Sequence, residues 1–167
     1  YGPSVLSYFD PEQTNWGPEE TQYNTTQELG IADFADGSSG VMAFSRHAPT
    51  EGLLITLNTP ANGDYASEGM VSDYTLVMDL YWPEEGKDIY RAIMQANTQD
   101  YLTDDADMFI DPTGGYGKST SDSGYFGQTE PENWHRVAFV FYTAPSNGVF
   151  EVYIDGELAG VKEDGEI

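Results

Sequence analysis

Asp104, Asp105, Asp107 and Asp111 crowd one stretch of the chain, with Asp100 just upstream. Hard divalent cations such as Ca²⁺ take roughly six to eight oxygen ligands, which carboxylates and loop carbonyls supply. The cluster is therefore a candidate calcium site of structural type. Its alternative is a solvated acidic loop between strands. The spacing matches no fixed loop motif, and the EF-hand pattern fails at Phe109, where an oxygen ligand is required.

A second group depends on strands lying side by side. If residues 73–82, 89–97 and 107–111 are neighbours, then Asp79, Tyr81, Arg91, Gln95, Asn97 and Asp107 project from one surface. Carboxylates and amides bond pairs of sugar hydroxyls, and an aromatic ring packs on the apolar face of a sugar, so such a row suits carbohydrate. The alternative is a solvated face laced by cross-strand pairs such as Arg91 with Asp79.

Catalytic constellations are not legible. Glu151 and Asp155 share a strand face, but at ~3.3 Å per residue they stand about 13 Å apart. A retaining glycosidase brings its carboxyl groups to about 5–5.5 Å. Gly114 to Ser119 (GGYGKS) has part of a phosphate-loop pattern, yet Pro112 stands where its first glycine belongs and no strand–helix unit surrounds it. It also lacks the aspartate of the calcium-binding nonapeptide repeat, Ser119 standing in its place. His47 and His135 lie far apart in sequence, and His135 reads as a structural residue at a strand start. No catalytic residue is assigned.

The elements that must position these side chains are strands. In 73–82 (DYTLVMDLYW), Tyr74, Leu76, Met78, Leu80 and Trp82 fall on one face and Thr75, Val77, Asp79 and Tyr81 on the other, the mark of a half-buried strand. Residues 89–97 and 107–111 alternate likewise, with Met108 and Ile110 inward and Phe109 outward. Residues 135–142, 149–155 and 157–162 are β-rich and are joined across Asn147-Gly148 and Asp155-Gly156, dipeptides that favour tight primed turns. Shorter strands are expected at 42–44 and 53–57. Residues 1–40 read as extended loop with one short strand at 5–9. Trp134 and Trp82 are expected in the core, although Trp82 and Trp16 are also possible exposed platforms. No segment has helical periodicity, and no internal repeat or domain boundary is visible.

Charge narrows the partners. Six Lys and Arg face 29 Asp and Glu, a formal net charge of −23. Such a surface repels nucleic acid and anionic membranes, which both require cationic contacts, and attracts divalent cations. No apolar run approaches the ~20 residues of a membrane helix. The chain has no cysteine, which excludes disulfides and thiolate metal sites. Asn24-Thr25-Thr26 fits the N-glycosylation pattern, too short a match to carry weight.

Trp134-His135-Arg136-Val137-Ala138-Phe139-Val140, followed by Val152-Tyr153-Ile154-Asp155-Gly156, resembles the signature of laminin-G-like domains in the concanavalin-A-like lectin/glucanase superfamily. Asp73 to Asp79 (DYTLVMD) and Tyr90 to Gln95 (YRAIMQ) are similar to strands of its bacterial members. The likeness spans roughly residues 40–162. It implies an all-β fold, a two-sheet antiparallel sandwich of jelly-roll type, forming one domain over 1–167. It strengthens the calcium reading, since many such domains hold Ca²⁺ at a loop rim. The Glu-x-Asp-x-x-Glu run of the superfamily's glucanases is absent. Members of the family usually continue past the Tyr-Ile-Asp-Gly hairpin into strands that close the sandwich, so closing strands are expected beyond Ile167 or from a neighbouring chain. The function implied is a non-catalytic, secreted or cell-surface binding module for glycan or an extracellular-matrix ligand, adhesive in role. The alternative is a structural subunit of a surface assembly completed by a neighbouring chain, and a diverged glycoside hydrolase is a third reading.

Overall fold

A computed structural model describes residues 5–9, 21–34, 40–45, 52–95, 107–118, 124–143 and 148–164. Trp16, His47, Asn97, Asp100, Asp104, Asp105, Ser119 and Asn147 lie outside the described residues. The chain divides into two compact units, one of Tyr1–Asn58 with Asn97–Asp105, the other of Thr59–Ala96 with Ala106–Ile167.

The first unit contains two antiparallel pairs. β1 (Val5–Phe9) pairs with β4 (Gly52–Thr56), and β2 (Thr21–Thr25) pairs with β3 (Gly40–Phe44). The strands expected near 5–9, 42–44 and 53–57 are present. β2 and the single turn α1 (Thr26–Leu29) fall where loop was expected. Thr25 and Glu28 close a reciprocal capping box at the start of α1, and Gly30, at φ 67°, ends it in the left-handed region.

The second unit is a sandwich of two four-stranded antiparallel sheets. One runs β12 (Glu157–Asp164), β11 (Gly148–Ile154), β10 (His135–Thr143), β5 (Tyr74–Leu80); the other runs β6 (Arg91–Met94), β7 (Met108–Ile110), β8 (Tyr116–Gly117), β9 (Tyr125–Phe126). Asp155 and Gly156 take φ angles of 53° and 88°, the primed turn read from the sequence, and fix the β11–β12 hairpin. The core is Trp82, Met108, Ile110, Tyr116, Val137, Phe139, Phe141, Phe150 and Val152, all buried. Tyr74, Leu76, Met78 and Leu80 pack against it as the alternation of β5 requires. Each buried side chain of this size contributes about 1.5–3 kcal/mol relative to exposure. Phe126 lies over Gly160, where a β-carbon would come within 2.0 Å of its ring, so that position of β12 accepts only glycine without the ring moving.

Several expectations are corrected. β5 does not neighbour β6 and β7; it pairs with β10, in the opposite sheet. Arg91 therefore cannot pair with Asp79. Arg91 sits opposite Ile110, on its core-facing side, and the register shifts between Ala92 and Met94, which brings both Ile93 and Met94 against the core. Phe109 does leave the core face, but it is only 4% exposed and meets Tyr90 edge-on at 6.3 Å. Trp134 is not a core residue: it is half-buried, outside the core cluster, against Tyr81 at 5.4 Å. Trp82, at 6% exposure, belongs to the core and is no platform.

Candidate functional site

The outward face of the sheet β12-β11-β10-β5 gathers the polar and aromatic side chains that the inner face rejects. Val137, Phe139 and Phe141 of β10 point inward, so Arg136, Ala138, Val140 and Tyr142 point out. Register then aligns rows across the strands. Arg136 stands beside Asp79, Ala138 between Val77 and Tyr153, Val140 between Thr75 and Glu151, and Tyr142 beside Val149. β12 extends the rows with Leu158 beside Tyr153 and Val161 beside Glu151.

At one end, Arg136 donates from Nε and Nη2 to the two carboxylate oxygens of Asp79, at 2.7 and 2.8 Å. Next to it, Asp155 accepts from the Arg136 amide at 2.9 Å and lies 2.8 Å from His135 Nδ1. Partial burial pushes the Asp155 carboxyl up, but the hydrogen bonds from His135 and the Arg136 amide, with the His135 charge, outweigh it and hold the group below its ordinary range. The structural role expected of His135 fits this geometry. Tyr81 and Trp134 cap the row with a tilted aromatic pair. Desolvation, then the nearby Glu132 charge, raises the Tyr81 phenol.

Further along, Glu151 receives two phenols. Tyr142 Oη donates to Oε1 at 3.1 Å and Tyr153 Oη to Oε2 at 2.8 Å. Each phenol is raised first by its hydrogen bond to Glu151, because losing the proton would set two negative charges together. Around this trio the face is apolar and open: Val77 is 56% exposed, Leu158 52% and Val161 43%.

The other expected site residues are dispersed. Of the six ligand residues, Asp79 and Tyr81 lie on this face. Arg91 does not: its guanidinium carbon is 3.7 Å from the Trp82 ring centroid, Nη1 donates to the Gly86 carbonyl, and Nη2 donates to the Asp111 carbonyl at 3.3 Å. Burial lowers the Arg91 guanidinium from its ordinary value, against the opposing charges of Tyr116 and Asp111. Gln95 follows β6 in the other sheet and is half-buried. Asp107 gives its amide to the Met94 carbonyl at 3.0 Å, and its charge adds to the burial that pushes the Tyr74 phenol up to about 12.

The metal cluster is not assembled among the described residues, where no group of three or more His, Cys, Asp or Glu could hold an ion. Asp111 serves a turn: its Oδ1 accepts from the Thr113 amide at 2.7 Å, the Thr113 hydroxyl at 2.8 Å and the Gly115 amide at 2.9 Å. Tyr142, Tyr153 and Arg136 were not among the sequence candidates, and Glu151 was weighed there only as a catalytic carboxylate. Their signal was the alternation of 135–142 and 149–155, read together with the Asp155-Gly156 turn that fixes how the strands align. Comparison with protein-family models, with curated proteins and with solved structures gives no match that would assign this sandwich to a family.

Proposed function

We propose that the protein is a non-catalytic, extracellular binding module, a jelly-roll sandwich of laminin-G-like type, whose ligand is a glycan held on the outward face of β5, β10, β11 and β12. The observation that carries this reading is the Tyr142–Glu151–Tyr153 trio beside exposed Val77 and Leu158. Rings and aliphatic side chains meet the apolar faces of sugars, while the carboxylates and the Arg136–Asp79 pair meet hydroxyls. Catalysis is not part of the reading. Glu151 is occupied by two phenols and Asp155 by His135 and an amide, so neither is poised as a proton donor or nucleophile.

Calcium stays in this reading as a structural ion, with Asp104, Asp105 and Asp107 as the ligands expected from the sequence; the turn bonds of Asp111 Oδ1 leave that residue a lesser part. Millimolar Ca²⁺ then raises the melting temperature above that in Mg²⁺ at matched ionic strength, and Asp107→Ala removes the difference. Equal melting in both salts removes calcium from the reading.

The test of the main claim is binding of the protein to a panel of soluble glycans by calorimetry. Tyr153→Ala is expected to weaken any binding at least several-fold with the fold intact. Binding unaffected by Tyr153→Ala and Glu151→Ala sinks the assignment of the face. A second reading, a subunit of a surface assembly, draws on β12: among the described residues it pairs with β11 alone, and an open strand edge recruits another strand. Sedimentation at rising concentration separates the two.

A further inference from the structure

Tyr153 and Glu151 are two apart on one strand and point to the same side, so a phenol that reaches back to that carboxylate lies along the strand instead of standing off it. Tyr142 reaches the same carboxylate from β10, diagonally across the pair Val140 and Glu151. A single acidic side chain thus ties down two phenol rings on the same side of the sheet. The Tyr81–Trp134 pair forms a third aromatic station. From Trp134 to Tyr142 the face runs eight positions along β10, about 26 Å at ~3.3 Å per residue, with the Tyr153 row midway. That is far longer than one sugar ring.

Electrostatics select among long ligands. Asp79, Glu151 and Asp155 face outward here, Glu163 follows on β12 beside Val149, and Arg136 is already bound to Asp79. The whole chain carries −23. A uronate or sulfated chain would meet these carboxylates, and among the described residues of this face the one cation, Arg136, already pairs with Asp79.

We propose that the face takes an extended, uncharged polysaccharide chain lying along the strands from Tyr81 and Trp134 to Tyr142, with Glu151 as the positioning residue that holds the Tyr142 and Tyr153 rings flat beneath it. This rests on the glycan reading above and adds the ligand's length, direction and charge.

The experiment measures the affinity of the full chain for neutral gluco-, manno-, xylo- and galacto-oligosaccharides from disaccharide to octasaccharide, and for uronic-acid oligomers of matched length. At least one neutral series should gain affinity with each added unit until the face is spanned, while the uronic-acid oligomers bind far more weakly and recover in high salt. Tyr142→Ala should cost the octasaccharide roughly tenfold and flatten the gain in affinity with each added unit. Glu151→Ala should cost the octasaccharide as much or more, and Glu151→Gln, which keeps a phenol acceptor, should recover part of it. Unchanged melting temperatures keep these losses from being read as unfolding. Affinity that saturates at the disaccharide, uronic-acid oligomers that bind as well as neutral ones, or a Glu151→Ala protein that binds like the parent overturns this inference and leaves the glycan reading standing. No binding by any oligomer overturns both.

Discussion

Arg91 lies against Trp82 and gives its hydrogens to the carbonyls of Gly86 and Asp111, while Arg136 gives two of its own to the carboxylate of Asp79 in the open. Trp82 in turn donates from Nε1 to Thr129 Oγ1 at 3.3 Å, and the Tyr116 hydroxyl lies 3.1 Å from that same oxygen, so Arg91 closes a polar chain at the rim of the core. The Arg136–Asp79 pair keeps 58% and 34% of its side-chain surface exposed. The contrast separates two uses of one chemistry. A partly desolvated guanidinium spread over a ring and two carbonyls holds loops together; an exposed ion pair stabilises little and stays available to a ligand.

The first way to break that contrast is Arg91→Ala, which exposes the Trp82 ring and leaves two carbonyls without their donors. It is expected to cost about 2–4 kcal/mol in chemical denaturation, with Arg91→Lys recovering little because an ammonium cannot spread over ring and carbonyls together. A loss under ~1 kcal/mol would erase the distinction. Next comes alkaline stability. Tyr74 stacks on Phe141 at 4.6 Å and its phenol is raised from 10.0 to about 12, chiefly by burial. A group raised on folding adds stability that is whole below its unfolded value and disappears as pH climbs through its folded one. Stability should therefore fall between pH 10 and about 12, and Tyr74→Phe should flatten that limb in a pH series of denaturation curves.

Arg136→Ala comes third, at about 0–1 kcal/mol and less in high salt, while changing any ligand affinity of the outer face. The smallest effect belongs to Asp155. Its folded value lies below the unfolded one, so its contribution is present above the unfolded carboxyl range and is lost as pH falls through the folded value. Asp155→Asn should remove this small contribution at neutral pH and flatten the acid limb of the stability profile as pH falls through the carboxylate range; a variant as stable as the parent at neutral pH, with an unchanged acid limb, would mean that the carboxylate does not stabilise the fold.

The sandwich was legible because β5 and β10 alternate and the Asp-Gly turn is unambiguous. Sheet order was not. Alternation says which side chains share a face of one strand, but nothing local says that residues 74–80 pair with 135–141 instead of the next strand along. That one misplacement moved Asp79 from Arg136 to Arg91 and so misdrew which side chains share a face. The shift between Ala92 and Met94 reversed the sides expected for Arg91, since a single extra residue turns the alternation over. α1 was missed although Thr25 and Glu28 stand at capping-box spacing, because a lone turn gives no periodicity to read. The acidic cluster shows the limit of composition: Asp111 has the chemistry of a metal ligand and is spent on a turn.

The strand β12 carries one further consequence, for solubility. Among the described residues it forms the border of its sheet, with Leu158 and Val161 exposed between Glu157, Lys162 and Glu163. Two such borders have matching backbones and matching apolar teeth, and at neutral pH the mutual repulsion of two chains at −23 each opposes their pairing. That guard is ionic and reversible. Acidification toward the isoelectric point near 4.1 removes it, so close to that pH the protein is expected to turn from a colloid of separate particles into one that grows by stacking, with a single Val161→Lys delaying the change in light scattering.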